Sequence, residues 1–318
     1  MALPAQSGKL DVVVTGASGR MGQIFLPVLR ARPGIGEILA LDLREPETLP
    51  DGVRFARADV RDSGIDAVLS GYQGLIHLAF IVEDSGRDTA LIDSVNIGGS
   101  ENIVRAAARA GLDRVVYASS IAAYGFHDDN RDRLLDEDAP LRGNDEFYYS
   151  RTKREVEGRL DAIAAECPEL AIARLRPTIF TPDQILFTIA GMMPYLSGVS
   201  APVHITHIDD VCDAFAFALE ARLHGAYNVA TEDPILPSRF PAAAGVRGLP
   251  VPWWLLAGAV TLAHRAGIGN MHPTWVTMGA SRPIVVSGER LRRAGWTPRY
   301  RTTTDAIRAV VDQSRAKQ

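Results

Sequence analysis

With 318 residues, 47% hydrophobic and 23% charged, the chain has material for one large domain or a main domain with a smaller one attached. A formal net charge of −4 argues against nucleic acid as the main partner, because phosphate binding needs a basic surface. Cys167 and Cys212 lack metal or redox spacing, which excludes a disulfide framework and points to a reducing, cytoplasmic setting.

Taken in order, Met1 to Lys9 lack a basic segment followed by an apolar core, so no secretion signal is read there. Val12 to Val14 read as a buried strand and Gln23 to Leu29 as the following helix. Between them Gly16, Gly19 and Gly22 stand three apart. Gly16 suits a tight turn, Gly19 a close approach to a ligand, and Gly22 close packing of helix on strand. The uncompensated N–H groups of that helix then suit a pyrophosphate. Glu37 to Leu43 predicts a second strand with Asp42 at its end, where a carboxylate can accept from an adenosine ribose and would repel a 2′-phosphate. That favours NAD over NADP, while Arg20 and Arg44 nearby pull the other way.

Val53 to Ala58 predicts a third strand, after which Asp59 either meets the adenine edge or caps a helix over Ser63 to Leu69. Leu75 to Ala79 predicts a fourth strand, with His77 read as packed and Leu78, Ala79 and Phe80 lining a crevice. A helix from about Asp88 to Ala110 contains Asn96, and Val115 to Ala118 makes a fifth strand. Strands alternating with helices predict an α/β fold, a Rossmann-type, doubly wound parallel sheet whose ligands bind at the C-terminal strand ends.

The fifth strand ends at Ser119-Ser120, and a later helix opens with Tyr149-Ser150-Arg151-Thr152-Lys153. Tyr149 and Lys153 are four apart and share a helix face. A phenol, with an ordinary pKa of ~10, needs a nearby cation to act as a base near neutrality. Ser120 can hold a substrate oxygen beside it.

Together these residues make the chain resemble the extended short-chain dehydrogenase/reductases, the NAD-dependent epimerase/dehydratase family. The likeness rests on the turn Thr15-Gly16-x-x-Gly19-x-x-Gly22, Asp42, Asp59-Val60, His77-Leu78-Ala79, Asn96, Ser119-Ser120 and Tyr149-x-x-x-Lys153. Arg176-Pro177-Thr178 and His207-Ile208-Asp209-Asp210-Val211 extend it, with a weaker echo over Leu291 to Pro298. The resemblance implies that Gly16, Ser18, Gly19, Arg20, Met21, Gly22, Asp42, Asp59, Val60, Leu78, Ala79, Lys153 and Pro177 hold NAD. It implies Tyr149 as acid/base, Lys153 as its tuning partner, Ser120 as orienter of the reacting oxygen and Asn96 as support. Phe80 and Thr178 are expected on the substrate side with Ser120 and Tyr149, and a homodimer is expected by analogy. Dehydratase members place Thr-Asp-Glu where Ser119-Ser120-Ile121 stands, so elimination of water lacks its acids here. Nucleotide-sugar epimerases tend to carry an asparagine at the position of Thr178 and an arginine where Ala201-Pro202-Val203 stands.

Residues 1–178 are expected to form the cofactor domain and 179–318 a smaller substrate lobe, with some segments returning to the first. Ile185 to Val199 and Val251 to Ala263 are apolar stretches that serve either as the lobe's own core or as walls of a hydrophobic pocket. The second is predicted to be a helix after Pro250 and Pro252, and is too short to span a bilayer, so no membrane partner is expected. His204 and His207, assigned to one strand, lack a third ligand, so no metal site is expected. The predicted activity is NAD-dependent hydride exchange with a secondary alcohol or ketone of a small, fairly apolar substrate. The alternatives are epimerisation of a nucleotide sugar by transient oxidation, and NAD(H) sensing without turnover.

Overall fold

The computed structural model describes residues 8–82, 89–180, 188–268 and 272–316. Met1–Ser7, Asp88, and Ile185 and Phe187 of the first apolar stretch lie outside the described residues.

Alternation within the first strand decides how the layers form. In β1 (Leu10–Thr15), Val12 and Val14 face one side and Val13 the other, and all three are fully buried. The first side is covered by α1 (Arg20–Arg30) and α6 (Ile208–Glu220), whose Phe25 and Phe215 meet edge to face with centroids 6.4 Å apart. The second is covered by α4 (Ser100–Arg109) and α5 (Tyr148–Glu166), through Ile103, Val104, Val156, Leu160 and Ile163.

The remaining strands of the main sheet are β2 (Ile35–Asp42), β3 (Val53–Arg57), β4 (Gly74–His77), β5 (Arg114–Ala118), β6 (Ala171–Pro177) and β8 (Gly225–Val229). They run parallel in the order β3-β2-β1-β4-β5-β6-β8. The order reverses between β1 and β4, which opens a crevice at their C-terminal ends beside Thr15 and His77. This is the predicted doubly wound sheet.

Two local expectations are corrected. The helix placed over Ser63 to Leu69 is only the short α2 (Asp66–Leu69), and no side chain caps it. The helix placed over 88–110 is interrupted: α3 (Thr89–Asp93) passes into a π-helical turn, Ser94–Gly99, before α4 resumes. The apolar stretches contain strand as well as helix. β7 (Met192–Ser197) pairs in parallel with β9 (Arg247–Pro252), despite Pro194, Pro250 and Pro252. A two-stranded ladder tolerates them because each strand has one free edge that needs no N–H donor. After β9 comes α8 (Trp253–Arg265), then α9 (Thr274–Ser281), α10 (Glu289–Arg293) and α11 (Thr303–Ala316); the short α7 (Phe240–Ala243) precedes β9. α11 and α7 close a small core with Met193 and Ile205.

Candidate active site

Gly16 has φ +71° and lies against the loop after β4, where an added Cβ would sit 2.5 Å from the Ala79 nitrogen. A Cβ on Gly22 would come within hard contact of the Gly16 carbonyl and Ala17. The turn is therefore glycine for steric reasons at two of its three positions. Gly19, at the third, caps α1 with extended backbone, and neither a side-chain cap nor a first-turn acid covers that helix end. Gly16→Ala combines a disfavoured backbone with a backbone clash; a loss of roughly 2–4 kcal/mol is expected, read from denaturant unfolding.

Asp42 ends β2 beside this turn. One carboxylate oxygen accepts from the Ser18 N–H at 3.0 Å, the other from the Leu43 N–H at 2.7 Å. Asp59 takes neither a capping role nor an isolated one: Arg61 grips it, with the shortest contact 2.6 Å, and that pairing holds its carboxyl below the ordinary value. Val60 is buried, and its carbonyl accepts from Asn102 at 2.8 Å. His77 is packed as expected, between Thr15 Oγ1 at 2.7 Å and Ser100 Oγ at 2.9 Å. Burial and the nearby Lys153 push its pKa down to about 3, so it stays neutral.

Asn96 sits in the π-helical turn and clamps the loop that follows β4. Its side chain accepts from the Ile81 N–H at 2.7 Å and donates to the Ile81 carbonyl at 3.0 Å. That clamp fixes the neighbouring Phe80, whose ring lies 3.5 Å from Lys153 Nζ and edge-on to Tyr149.

Ser120 follows β5 and caps a short 3₁₀ turn, Ile121–Tyr124, accepting from the Ala122 N–H. Ser150, in the first turn of α5, donates to the Ala122 carbonyl at 2.6 Å and so locks that turn to the helix. Tyr149, next to it, is thereby brought beside the Ser120 side chain. Lys153, one turn on, donates to the Ala118 carbonyl at 2.6 Å and to the Tyr117 hydroxyl at 3.4 Å.

The electrostatics differ from the expected tuning of Tyr149 by Lys153. Burial raises the Tyr149 pKa above the ordinary phenol value, with the nearby Ser120 hydroxyl opposing it. Burial also lowers Lys153 to about 7, so the cation that was to stabilise the phenolate is itself weakened. A lysine with folded pKa near 7 and unfolded pKa of ~10.4 makes the folded state bind fewer protons between those values. Stability of the cofactor-free protein therefore rises as pH climbs from about 7 toward ~10, and Lys153→Met should remove that rise in thermal unfolding scans.

Two groups of residues here escaped sequence reasoning. The first is an aromatic wall: Trp275 on α9 reaches Tyr149 and Phe147 at centroid distances of 5.0 and 4.9 Å. Nothing local marks Trp275, which arrives from the far end of the chain. The second is a buried ionic cluster under the site. Glu157 accepts from Ser119 Oγ at 2.5 Å and from Arg176 Nη2 at 2.5 Å, and Arg176 also reaches the Tyr124 hydroxyl at 2.7 Å. Glu157 did carry a signal, being a carboxylate on the apolar stripe of α5 with Val156, Leu160 and Ile163. Pro177 ends β6, and the buried Thr178 hydroxyl pairs with Thr206 at 2.7 Å. His204 and His207 do not share a strand: His204 meets Thr231 Oγ1, while His207 caps α6. No group of potential metal ligands occurs among the described residues.

A model described as the NAD dependent epimerase/dehydratase family matches residues 12–183. Short-chain dehydrogenase/reductase family 42E member 1 of Xenopus laevis is 28% identical over 257 residues, 74% of this chain and 65% of that protein. The N-acetyl-alpha-D-glucosaminyl-diphospho-ditrans,octacis-undecaprenol 4-epimerase of Escherichia coli is 27% identical over 191 residues, 59% of this chain and 54% of that protein. The chain thus spans somewhat less than two thirds of the length of these curated relatives. Among solved structures, MoeE5 in complex with UDP-glucose and NAD aligns with TM-score 0.73 at 22% identity, over 96% of this chain and 99% of that one. The Thermus thermophilus UDP-glucose 4-epimerase complex with NAD aligns with TM-score 0.70 at 24% identity, over 97% and 100%. These likenesses establish the shared fold. The family match takes in more than half of the chain, from β1 past the end of β6, and makes this protein a member of the NAD-dependent epimerase/dehydratase family, of the extended short-chain dehydrogenase/reductase type.

Proposed function

We propose that the chain binds NAD and exchanges a hydride with a secondary alcohol or ketone carbon of a small, largely apolar substrate. The observation that carries this reading is the placement of Tyr149 beside Ser120 by the Ser150 lock between α5 and the turn after β5, with Lys153 one helical turn away. The residues fit the cofactor. Gly16 and Gly22 let the turn close directly onto Ala79 and Ala17, the α1 N-terminus carries no side-chain cap, and Asp42 stands beside the turn as a ribose acceptor. NAD, when bound, supplies the hydride acceptor, or as NADH the donor. Ser120 then holds the reacting oxygen, and Tyr149 takes its proton in oxidation or returns it in reduction. Lys153 would hold the adjacent ribose and lend its charge to the phenolate.

The apolar character of the substrate is inferred from Trp275, Phe147 and Phe80 around Tyr149. A second reading is nucleotide-sugar epimerisation with the same groups. It is favoured by the likeness to the Escherichia coli epimerase and to structures that hold UDP-glucose. Net conversion of NAD to NADH during turnover supports the first, while product without net redox change supports the second. The decisive experiment is fluorescence titration with NADH and NADPH, followed by a screen of alcohols, ketones and nucleotide sugars with the preferred cofactor. Failure to bind either cofactor overturns both readings.

Asp42 gives a direct check on cofactor choice. Asp42→Ser should weaken NADH roughly 10- to 100-fold, the worth of a charge-assisted hydrogen bond, and improve NADPH by removing the repulsion of its 2′-phosphate. Unchanged preference in that variant would take Asp42 out of the ribose site.

A further inference from the structure

From Pro234 to Gly288 the chain contains no aspartate or glutamate, in a protein with 38 acidic residues. Arg239, Arg247, Arg265 and Arg282 all fall in this stretch. Arg282 pairs with Asp128 at 3.5 Å, as many surface arginines elsewhere do with carboxylates, among them Arg54 with Glu37, Arg142 with Asp129 and Arg301 with Glu232. Among the described residues, no carboxylate lies within ion-pair distance of Arg239, Arg247 or Arg265, all of which are exposed.

The helix inside this stretch inverts the usual pattern. α8 buries only Ala257, while Trp254 is 62%, Leu255 53% and Leu262 70% exposed. Ile268, just beyond it, is 68% exposed. Trp254, Gly258 and Leu262 follow each other at helical spacing, with Leu255 and Ala259 beside them, so the outward face is apolar until Arg265 in the last turn. A water-facing helix side ordinarily carries charge. No helix among the described residues is long and apolar enough to cross a membrane.

We propose that α8 lies flat on an anionic phospholipid bilayer, with Trp254, Leu255 and Leu262 entering the interface and the unpaired arginines meeting lipid headgroups. Tryptophan and leucine on one face, with cations beside it, are what an interfacial helix requires, and the absence of acids removes repulsion by the membrane's own charge. The inference departs from the expectation that no membrane partner exists. α9 packs on α8 and carries Trp275 against Tyr149, so one helix separates the lipid face from the reacting tyrosine.

Flotation of the full chain with vesicles tests this. Vesicles of phosphatidylcholine with phosphatidylglycerol should carry the protein up the gradient, more strongly at low salt, and phosphatidylcholine alone should carry little. Trp254→Glu with Leu262→Glu should lower the partition coefficient about 100-fold or more, since each side chain contributes about tenfold. Arg247→Glu with Arg265→Glu should remove the salt dependence. Circular dichroism and thermal unfolding of both double variants should match the parent. No flotation with anionic vesicles, or flotation undiminished in the Trp254/Leu262 variant, overturns the proposal. So does sedimentation showing that the parent is a dimer and that variant a monomer, since the face would then be an interface between copies.

Discussion

Tyr149→Phe is expected to lower turnover by roughly 10²- to 10⁴-fold, the usual worth of general acid–base catalysis, while leaving NADH affinity within about twofold. The separation follows from where the hydroxyl sits. It lies beside Ser120 within the wall of Phe80, Phe147 and Trp275, whereas the groups assigned to the cofactor are the glycine turn, Asp42 and Lys153. Its pH signature is specific. Burial holds the phenol above its ordinary value, so the protonated form dominates at neutrality. Oxidation, which needs the proton removed, should therefore accelerate as pH rises through the neutral range, whereas reduction, which uses the protonated form, should stay level there and slow only at strongly alkaline pH. The variant should lose both trends along with the rate. If its steady-state rate equalled the parent's, Tyr149 would not be the proton carrier; if NADH binding fell together with rate, the substitution would have disturbed the site as a whole.

The legible parts of the fold were those written in local periodicity. Val12 to Val14, the glycine turn and Asp42 define a strand, a turn and a second strand end within one short segment, and each was placed correctly. The same holds for Ser120 and for Tyr149 with Lys153, because a strand end and a helix face fix them locally. What sequence missed depends on partners distant in the chain. The π-helical turn at Asn96 reads as ordinary helix, since nothing local reveals that Ile81 will claim its side chain. β7 and β9 contain prolines that argue against strand, and only their pairing makes them one. Trp275 reaches Tyr149 through tertiary packing alone. The glycine turn and the strand ends are thus written locally, whereas the π-helical turn, the β7–β9 ladder and the approach of Trp275 are decided by long-range contacts.

Glu157→Ala is expected to cost about 3–5 kcal/mol, the largest stability loss foreseen for a single side chain here. Its carboxylate is fully buried and receives Ser119 and both Nε and Nη2 of Arg176. Removal leaves the Arg176 guanidinium in the interior with only the Tyr124 hydroxyl and the Glu137 carbonyl as acceptors. An uncompensated buried charge, rather than the lost attraction, dominates that cost. For a chain of this size the melting temperature should fall by roughly 4–8 °C. Glu157→Gln keeps an acceptor for Ser119 and Arg176 without the charge, so a smaller loss is expected. Replacing both partners, Glu157→Leu with Arg176→Met, should recover much of the stability, because neither ion then has to be desolvated. Catalysis should not recover in step. Glu157 lies one turn beyond Lys153 on α5, and its partner Ser119 adjoins Ser120, so the pair fixes the helix that carries Tyr149 against the strand end that carries Ser120. A double variant that folds as firmly as the parent yet turns over more slowly would assign the cluster to positioning. One that regained both stability and rate would leave it a purely structural role.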